Sequence, residues 1–296
     1  MKKINGMIRI FKEKVIKLIP DKVFLRYKYY RIMKKWLSFN NPKTFNEKIQ
    51  WLKVYDRNEI YTNFVDKYEV RKFISKEFGD KYLIPLINVY DNVEEVNFND
   101  LPKQFVLKCT HDSGGIVICK DKDLLNIDNA KKLLQNFIDR NYFYEWREWP
   151  YKNIKPRIIC EKYMIDEKQQ DIMDYKLMCF NGKVKCILVC SNRDSVQGVN
   201  MNFYDIFWNE MDLTRPKHKP KNGKIKKPIN LEKMITMAEK IASEKPFIRV
   251  DFYEINEQLY FGEITLYPGA GFEKFSPEEY DNILGSWIEL PNKKII

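Results

Sequence analysis

Two runs near the C-terminal end of the chain alternate between apolar and polar residues. They cover Phe247–Tyr253 and Gln258–Leu266 and are rich in Ile, Val, Phe and Tyr, a pattern typical of β-strands. A short turn joins them, which predicts an antiparallel hairpin. Each strand carries one carboxylate among apolar neighbours, Asp251 on the first and Glu263 on the second. The hairpin is therefore expected to bring two carboxylates side by side.

This carboxylate pair indicates a cation site. Two carboxylates at such a short distance repel each other unless a cation or a proton lies between them. Hard oxygens on rigid strands suit Mg²⁺, which prefers one or two carboxylates plus substrate phosphates. Arg249 stands two residues before Asp251 and therefore points to the same face of its strand. A turn at Pro268–Gly271 follows and lets backbone approach a ligand. Solvated or salt-bridged carboxylates are also common in strands, so the hairpin alone leaves both interpretations open.

The N-terminal part of the chain is expected to be mainly helical. A basic amphipathic helix is expected over residues 5–19, ending at Pro20, and a second helix from its candidate cap Asp21 to about Lys35. The stretch Thr44–Glu47 fits a capping box and starts a helix through Val54. Later helices are expected over Asp66–Phe78, Asp128–Arg140, Leu231–Ser243 and Pro277–Trp287.

Strands are expected between and after these helices. The dipeptide Asn181-Gly182 is the strongest short hairpin signal, and it joins Asp174–Phe180 to Lys183–Ser191. The other expected strands are Tyr82–Tyr90, interrupted by Pro85, Phe105–Cys109, Ile116–Lys120, Arg157–Tyr163 and Met201–Trp208. With helices first and mainly antiparallel strands later, the pattern predicts an α+β protein.

Composition adds a large core and a positive charge. Of the 296 residues, 44% are apolar and 15% aromatic, which excludes disorder over most of the chain. The 52 basic and 41 acidic residues give a net charge of +11. This charge favours anionic partners, among them nucleotides, acidic polysaccharides, nucleic acids and membrane surfaces, without choosing between them.

The cysteines and histidines argue against a zinc site. None of the six cysteines forms a C-x-x-C pair, and the two histidines are His111 and His218. We interpret the cysteines as buried thiols of a reducing cytosol. No apolar run approaches the ~20 residues that span a bilayer. The first residues also lack the apolar segment of a secretory signal, so a cytoplasmic protein is expected.

A lysine and a small polar loop predict a candidate phosphate site. Lys108 ends an apolar strand, and the loop HDSGG follows at residues 111–115. Backbone N–H groups of such a loop can point at phosphate oxygens, and the lysine adds a point charge. The lysine precedes the loop and no helix follows, so this is not a P-loop. A plain hairpin turn is the alternative interpretation.

Further polar residues stand on or beside the predicted strands. Glu161 is expected either at an adenine edge or in an edge-strand ion pair. Asp174 and Lys176 lie on one face of their strand. Lys67 opens a predicted helix, where lysines are commonly solvated.

The order of these signals resembles that of the ATP-grasp superfamily, in particular D-alanine–D-alanine ligases. Lysines come first, then a Ser-Gly-Gly loop, a glutamate after a strand, R-V-D-F and finally E-I-T-x-x-P-G. Over nearly the whole chain, the closer similarity is to the ATP-grasp proteins of teichuronopeptide and capsule biosynthesis. The stretches that carry it are Asn41–Lys53, Asp66–Arg71, Phe105–Gly115, Asp174–Lys183 and Arg249–Asp281.

This resemblance implies an ATP-grasp fold in which two α+β subdomains clasp ATP, with a helical N-terminal extension. The implied boundaries are a helical N-terminal region over 1–65, a pre-grasp segment over 66–103, a lid-bearing subdomain over 104–162 and a C-terminal subdomain with the metal site over 163–296. The residues implied to contact ATP are Lys67 and Lys108 at the phosphates, Ser113, Gly114 and Gly115 in a flexible lid, Glu161, Lys162 and Tyr163 at the adenine hinge, and Asp174 at the ribose.

The activity that the resemblance implies is Mg²⁺-dependent ligation of a carboxylate to an amine through an acyl phosphate, with release of ADP. Asp251 and Glu263 would hold two Mg²⁺ ions, Arg249 would steady the acyl phosphate, and Lys176 would bind a phosphate. Thr265 stands where the D-alanine–D-alanine ligase pattern has a metal-binding asparagine, which leaves its part in the metal site open. The loop HDSGG likewise departs from the usual Gly/Ser-rich lid.

The expected substrates are an acidic glycan, such as a hexuronate, and an amino acid or other amine. The loop Arg215–Lys227 and the helix over 5–19 are candidate contacts for the glycan. The same helix is either a membrane-surface anchor, which would hold the protein at the inner face of the membrane, or a helix packed on the core. A glycosyltransferase is the first alternative, with Asp121-Lys122-Asp123 as its only candidate metal pair. A nucleic-acid-binding protein is the second, and no specific nucleic-acid partner is expected.

Overall fold

The computed structural model describes residues 16–168, 171–192 and 198–292 of the chain. The helices are α1 (Asp21–Met33), α2 (Phe45–Tyr55), α3 (Ile60–Val65), α4 (Glu69–Phe78), α5 (Ile127–Ile138), α6 (Phe143–Trp146), α7 (Leu231–Ala242) and α8 (Tyr280–Ser286). Short 3₁₀ helices include Trp149–Tyr151 and Pro268–Gly271.

The strands form two antiparallel sheets. They are β1 (Leu86–Tyr90), β2 (Phe105–Cys109), β3 (Ile116–Cys119), β4 (Ile158–Lys162), β5 (Asp174–Phe180), β6 (Lys183–Ser191), β7 (Asn200–Tyr204), β8 (Phe247–Ile255) and β9 (Gln258–Thr265). The first sheet has the order β1-β4-β2-β3, and the second has the order β7-β6-β5-β8-β9. Helices beside antiparallel sheets confirm the α+β class.

Two tight turns fix the registers of the second sheet. Asn181 and Gly182 have φ values of 48° and 79°, and Asn256 and Glu257 have φ values of 50° and 66°. Positive φ at both central residues gives the turn whose twist matches the flanking strands. The β5–β6 and β8–β9 hairpins predicted from the sequence are therefore confirmed. Since side chains alternate along a strand, these turns also decide which residues share a face.

The N-terminal helices share their core with the second sheet. Phe45 of α2 packs edge-on against Phe247 of β8, with ring centroids 5.1 Å apart, and also against Phe275. The helix α7 contacts β5, β6 and β8. Its buried Met234, Met237 and Ile241 recur at helical spacing, as an amphipathic helix requires. The first sheet has a smaller core of its own, built around β2 and α5.

Several element boundaries differ from the sequence-based predictions. Only Leu86–Tyr90 of the stretch expected from Tyr82 pairs as a strand, because Pro85 has no N–H to donate. The helix expected from Asp66 begins at Glu69. Asp66 Oδ1 accepts from the backbone nitrogens of Tyr68 and Glu69 at 2.8 and 3.3 Å, so Lys67 lies in the turn before the helix rather than inside it.

The N-terminal predictions had mixed outcomes. The capping box of Thr44 and Glu47 is confirmed, and α2 follows it. Asp21 was wrongly assigned as a cap: the cap position is Pro20, and Asp21 lies inside α1. Its carboxylate pairs with Arg57 and Arg147 instead. Most of the helix predicted over 5–19 lies outside the described residues, and α3 was not predicted.

The cysteines are buried as expected. All six are free thiols without solvent-exposed positions. Among the residues that the structure describes, no helix has the length and apolar character needed to cross a membrane.

Candidate active site

Neighbouring strands of the second sheet place charged side chains on one face. β5 pairs with β8 so that Lys176 stands opposite Asp251. β8 pairs with β9 so that Asp251 stands opposite Glu263 and Arg249 opposite Thr265. Residues directly opposite each other on antiparallel strands share a face and lie close together. This register confirms that Asp251 and Glu263 are neighbours.

Asp251 is held by two cations. Arg249 donates from Nε to Oδ1 and from Nη2 to Oδ2, both at 2.7 Å, and Lys176 Nζ also donates to Oδ2. Asp251 is only 1% exposed. Burial alone would raise the pKa of Asp251, but the charges of Arg249 and Lys176 hold it below its ordinary value. The carboxylate is therefore ionised at neutral pH.

Two more carboxylates complete this cluster. Lys176 Nζ lies 2.7 Å from Oδ2 of the fully buried Asp174. Arg249 Nη2 also donates to Glu263 Oε1 at 3.1 Å. Burial opposes the charge on Lys176 and Arg249, but the neighbouring carboxylates raise the pKa of both above their ordinary values. Three carboxylates against two cations leave this cluster with one negative charge in excess.

The donor set fits Mg²⁺. Glu263 keeps 44% of its side chain exposed, and Thr265 Oγ1 lies 3.4 Å from Glu263 Oε1. Asp251 accepts three hydrogen bonds, and a carboxylate offers roughly four lone-pair positions. Within the described ranges no group of three His, Cys, Asp or Glu side chains could hold a metal by itself. Mg²⁺ needs no such group, because it commonly takes one or two carboxylates and completes its shell with waters and phosphates.

A second charged cluster lies on the first sheet. Glu161 Oε2 accepts from Lys108 Nζ at 2.7 Å, and Oε1 accepts from Arg71 Nη1 at 2.8 Å. Arg71 Nη2 also donates to the carbonyl of Ile84 at 2.8 Å. The Lys108 and Glu161 side chains are 21% and 7% exposed. Both oxygens of Glu161 are therefore engaged by cations.

Glu161 was expected either at an adenine edge or in an ion pair on an edge strand. Its side chain forms an ion pair, although β4 is an internal strand of its sheet rather than an edge. Lys162 is exposed and Tyr163 is half-buried. An adenine edge at this hinge would therefore meet backbone groups or these two side chains before the Glu161 carboxylate.

The two clusters lie next to one another. Burial opposes the charge of Lys108, but Glu161, Tyr253 and Glu263 raise its pKa above the ordinary value. Tyr253 and Glu263 belong to the second sheet, whereas Lys108 belongs to the first. The lysine of one sheet thus lies within electrostatic reach of the carboxylate pair of the other.

The loop at 111–115 is anchored at its base. Asp112 is fully buried, accepts from the Gly115 nitrogen at 3.3 Å and pairs with Arg140 Nη2 at 3.1 Å. Lys67 Nζ donates to the Asp112 carbonyl. A Cβ on Gly115 would lie 2.9 Å from Asp112 Oδ1 and from Cys109 Cβ, so a larger residue does not fit there. The loop thus turns tightly, with Gly114 at a φ of 107°.

Two arginines of these clusters, Arg71 and Arg140, were not singled out from the sequence. Arg71 stands in the stretch Asp66–Arg71 that carries the family resemblance, which was a usable signal. Arg140 follows α5, and no local pattern indicated its role. Asp112 and Arg215 were named only as members of the loop at 111–115 and of the loop Arg215–Lys227.

The guanidinium of Arg215 reaches the second-sheet cluster. It is 8% exposed and pairs with Glu273 Oε1 at 3.1 Å. Burial lowers the pKa of Arg215, the charge of Glu273 opposes this effect, and the charge of Arg249 adds to it. The basic loop thus begins within electrostatic reach of the second-sheet cluster.

The fold and the charged clusters agree with an ATP-grasp protein, and sequence comparison identifies the family. The sequence model of the TupA-like ATP-grasp family matches residues 47–289. The chain belongs to this family and has the α+β ATP-grasp fold. A search of the curated proteins found no match to the chain.

Solved structures with a similar fold are distant in sequence. A D-alanine–D-alanine ligase from Bacillus anthracis complexed with ATP is 18% identical, with 69% of this chain and 54% of that chain covered and a TM-score of 0.39. The Helicobacter pylori D-alanine–D-alanine ligase is 16% identical, with 84% and 70% covered and a TM-score of 0.42. The ATP-grasp ligase PsnB, complexed with minimal precursor, Mg and ADP, is 10% identical, with 74% and 57% covered and a TM-score of 0.39. The chain spans little more than half of the first and third of these proteins.

The candidate metal pair of a glycosyltransferase does not form a metal site. Asp121 and Asp123 both lie beside Lys103, with Nζ–Oδ2 distances of 3.7 and 3.9 Å. They occupy an exposed 3₁₀ turn after β3. This geometry is that of a surface ion pair.

Proposed function

We propose that this protein is an ATP- and Mg²⁺-dependent carboxylate–amine ligase that attaches an amino acid to an acidic glycan through an acyl phosphate. The observation that carries the proposal is the direct pairing of Asp251 with Glu263 across β8 and β9 in a member of the TupA-like ATP-grasp family. Arg249 and Lys176 stand at the same pair. Hard oxygens beside fixed cations suit a nucleotide phosphate and its metal ion.

In this proposal the protein works mainly by positioning charge. A substrate carboxylate oxygen attacks the γ-phosphorus of ATP, the bond to the β–γ bridging oxygen breaks, and ADP leaves. Lys67, Lys108 and Lys176 hold phosphate oxygens, and Arg249 steadies the acyl phosphate. Asp251 and Glu263, with Thr265 beside them, would hold Mg²⁺, which would neutralise the negative charge of the transferring phosphoryl group.

The loop and the hinge complete the nucleotide site. Backbone N–H groups of Ser113 and Gly114 cover the phosphates and exclude water that would hydrolyse the acyl phosphate, while Gly115, whose N–H donates to Asp112, keeps the turn tight. The anchoring of the loop by Asp112 and Arg140 supports a fixed position for its base. Glu161, Lys162 and Tyr163 form the adenine hinge, and Asp174 serves the ribose. Because Asp174 is fully buried against Lys176, its contact with the ribose would follow a shift of that lysine.

An acidic glycan fits the charge around the site. The loop from Arg215 carries exposed Lys217, Lys219, Lys224, Lys226 and Lys227. Arg215 itself lies within electrostatic reach of Arg249, so these lysines extend the positive charge of the site towards the surface. A uronic-acid polymer presents regularly spaced carboxylates, which such cations attract.

With ATP and Mg²⁺, the wild-type protein should release ADP only when a uronic-acid glycan and a suitable amino acid are both present, because amide formation consumes the acyl phosphate. The measurement is coupled ADP release across a panel of glycans and amino acids, with mass spectrometry of the product. The matched control glycan has its carboxyl groups reduced to alcohols. ADP release that does not depend on any carboxylate would contradict the proposal.

A further inference from the structure

Glu148 is a buried carboxylate without a direct partner. It stands between α6 and the 3₁₀ helix Trp149–Tyr151 and is 5% exposed. Across the described residues, its side chain takes part in no hydrogen bond and no ion pair, and its neighbours act on it only through their charge. Buried carboxylates are normally hydrogen-bonded or paired, because desolvation of an ionised group is costly. Glu148 therefore calls for a ligand that supplies donors and positive charge.

The buried polar groups around Glu148 differ in their hydrogen bonding. Lys53 is fully buried, and its Nζ donates to the carbonyls of Trp146 and Ala270 at 2.9 and 2.8 Å. The Trp149 indole nitrogen and the Tyr267 hydroxyl are buried, and neither has a hydrogen-bond partner in the part of the chain that the structure describes. Burial raises the pKa of the Tyr267 phenol, and the charges of Asp56, Tyr61 and then Glu148 add to the rise.

Tyr151 links Glu148 to the candidate active site. Burial raises the pKa of the Tyr151 phenol, and the charges of Glu148 and then Glu263 add to the rise, followed by Tyr142 and Asp112. Glu263 belongs to the carboxylate pair and Asp112 to the loop base. The phenol ring of Tyr142 lies 5.0 Å from that of Tyr151. Tyr151 thus lies within electrostatic reach of both Glu148 and Glu263.

We propose that Glu148 binds the acceptor amine of the ligation and accepts a proton from it, an assignment that rests on the proposed ligase function. An ammonium group has three N–H donors and one positive charge, which complement a buried carboxylate. The Glu148 carboxylate takes one proton and leaves a neutral amine. The amine nitrogen attacks the acyl phosphate carbonyl, the C–N bond forms and the C–O bond to phosphate breaks. The second proton leaves with the phosphate.

The electrostatics of the cluster suit this proton transfer. Burial raises the pKa of Glu148 to about 7, with Lys53 opposing and Glu145 adding to the rise. Burial lowers the pKa of Lys53 to about 7, with Glu148 opposing. Burial raises the pKa values of the Tyr142, Tyr151 and Tyr267 phenols above their ordinary value, so these phenols stay uncharged at neutral pH. Since the ionised form of Glu148 is the base, amide formation should increase as pH rises through about 7.

The test compares an amine that needs a base with one that does not. Hydroxylamine is largely unprotonated at neutral pH and traps acyl phosphates as hydroxamates. In Glu148→Gln, amide formation with an amino acid should fall by about 10²-fold or more, the usual contribution of a general base. Hydroxamate formation should change much less, and the rise of amide formation through neutral pH should disappear. Glu94→Gln, at an exposed carboxylate in the short 3₁₀ helix Val93–Glu95, is the control and should behave as wild type.

The outcomes separate this assignment from the ligase proposal. If wild-type protein forms neither hydroxamate nor amide, the ligase function fails. If wild type forms both and Glu148→Gln keeps its amide formation, the assignment of Glu148 fails. If Glu148→Gln does not fold, the wild-type pH profiles decide: amide formation must increase through about pH 7 while hydroxamate formation does not, and parallel profiles overturn the assignment.

The exposed residues of α1 fall on one stripe of the helix, because their spacing follows the helical repeat. This stripe combines cationic side chains with aromatic rings. We call this stripe the aromatic–basic face; its residues are Lys22, Val23, Arg26, Tyr27, Tyr30, Arg31 and Lys34. Tyr27 and Tyr30 are 59% and 44% exposed, and Trp36, itself 78% exposed, stacks on Tyr30 at a centroid distance of 4.7 Å.

We infer that the aromatic–basic face docks on a bilayer surface with anionic head groups. Aromatic rings and lysine or arginine side chains on one helix face are the combination that rests at the head-group level, where rings enter the interface and cations meet lipid charge. The inference depends on α1 and on Trp36 just after it, and it stands apart from the residues at 5–15.

Vesicle binding tests this second inference. Wild-type protein should co-sediment with vesicles of phosphatidylglycerol and phosphatidylcholine, and at least tenfold less with phosphatidylcholine alone or at high salt. The triple variant Tyr27→Ser, Tyr30→Ser, Trp36→Ser should lose at least tenfold in partitioning while keeping its thermal stability. Phe207→Ser, at an aromatic residue 76% exposed elsewhere, is the control. Equal binding to both vesicles, or a triple variant that binds as wild type, would overturn the inference.

Discussion

Glu263→Gln is expected to reduce carboxylate-dependent ADP release by about 10³-fold, because loss of a metal ligand removes several kcal/mol of charge stabilisation and each 1.36 kcal/mol is about tenfold. The substitution keeps the shape of the side chain and removes its charge. Glu263 is 44% exposed at its side chain, so its replacement should leave the thermal unfolding temperature nearly unchanged.

Asp251→Asn should lose activity to a similar degree but should also lose stability. Asp251 is 1% exposed and accepts from both Arg249 and Lys176. Removing one member of a buried ion pair typically costs about 3–5 kcal/mol, because the remaining charges stay buried without compensation. The measurements are ADP release and thermal unfolding for both variants.

Glu257→Gln, at the turn of the same hairpin, is the control for both variants, because Glu257 is exposed and pairs with Lys168 on the surface. It should match wild type in both assays. A Glu263→Gln protein that keeps most of its activity would remove Glu263 from the metal site.

Glu161→Gln is expected to lower stability by about 3–5 kcal/mol, or roughly 10 °C in Tm for a chain of this size. Its carboxylate neutralises both Lys108 and Arg71, and all three side chains are largely buried. Replacing it leaves two cations close together with no shared counter-charge. Urea or thermal unfolding monitored by circular dichroism measures the effect.

A double-mutant cycle tests the cause of this loss. Adding Lys108→Met to Glu161→Gln removes one of the uncompensated cations and should return part of the lost stability. The surface pair Asp91–Lys155, with both side chains more than half exposed, provides the control Asp91→Asn, which should change stability by no more than about 0.5 kcal/mol. If Glu161→Gln unfolds like Asp91→Asn, the buried cluster is not a stabilising unit.

The local order of the hairpins could be predicted because it depends on nearby residues. Asn181 and Gly182 adopt positive φ readily, and the alternation of β8 and β9 sets which residues face the same side. The juxtaposition of Asp251 and Glu263 follows from those two facts. The family resemblance added the expected order of the charged residues, and the family match over residues 47–289 agrees with it.

The partners of the charged residues could not be predicted in the same way. Glu161 meets Arg71 and Lys108 from different elements, and Asp112 meets Arg140 across 28 residues of sequence. No local periodicity encodes such pairings, because they depend on how α4, α5 and the sheets pack. The implied domain boundaries and the ATP contacts of the site residues stay predictions.

By itself, the sequence determined the α+β class, the two hairpins of the second sheet and the pairing of the carboxylates, all of which rest on alternation and turn chemistry between residues close in sequence. The tertiary structure decided what surrounds that pair. It set Lys176 and Arg249 on Asp251, engaged Glu161 with two cations, and left Glu148 buried without a direct partner among the described residues. Those environments depend on contacts between elements distant in sequence, and burial there sets the strength and the pKa of each charge.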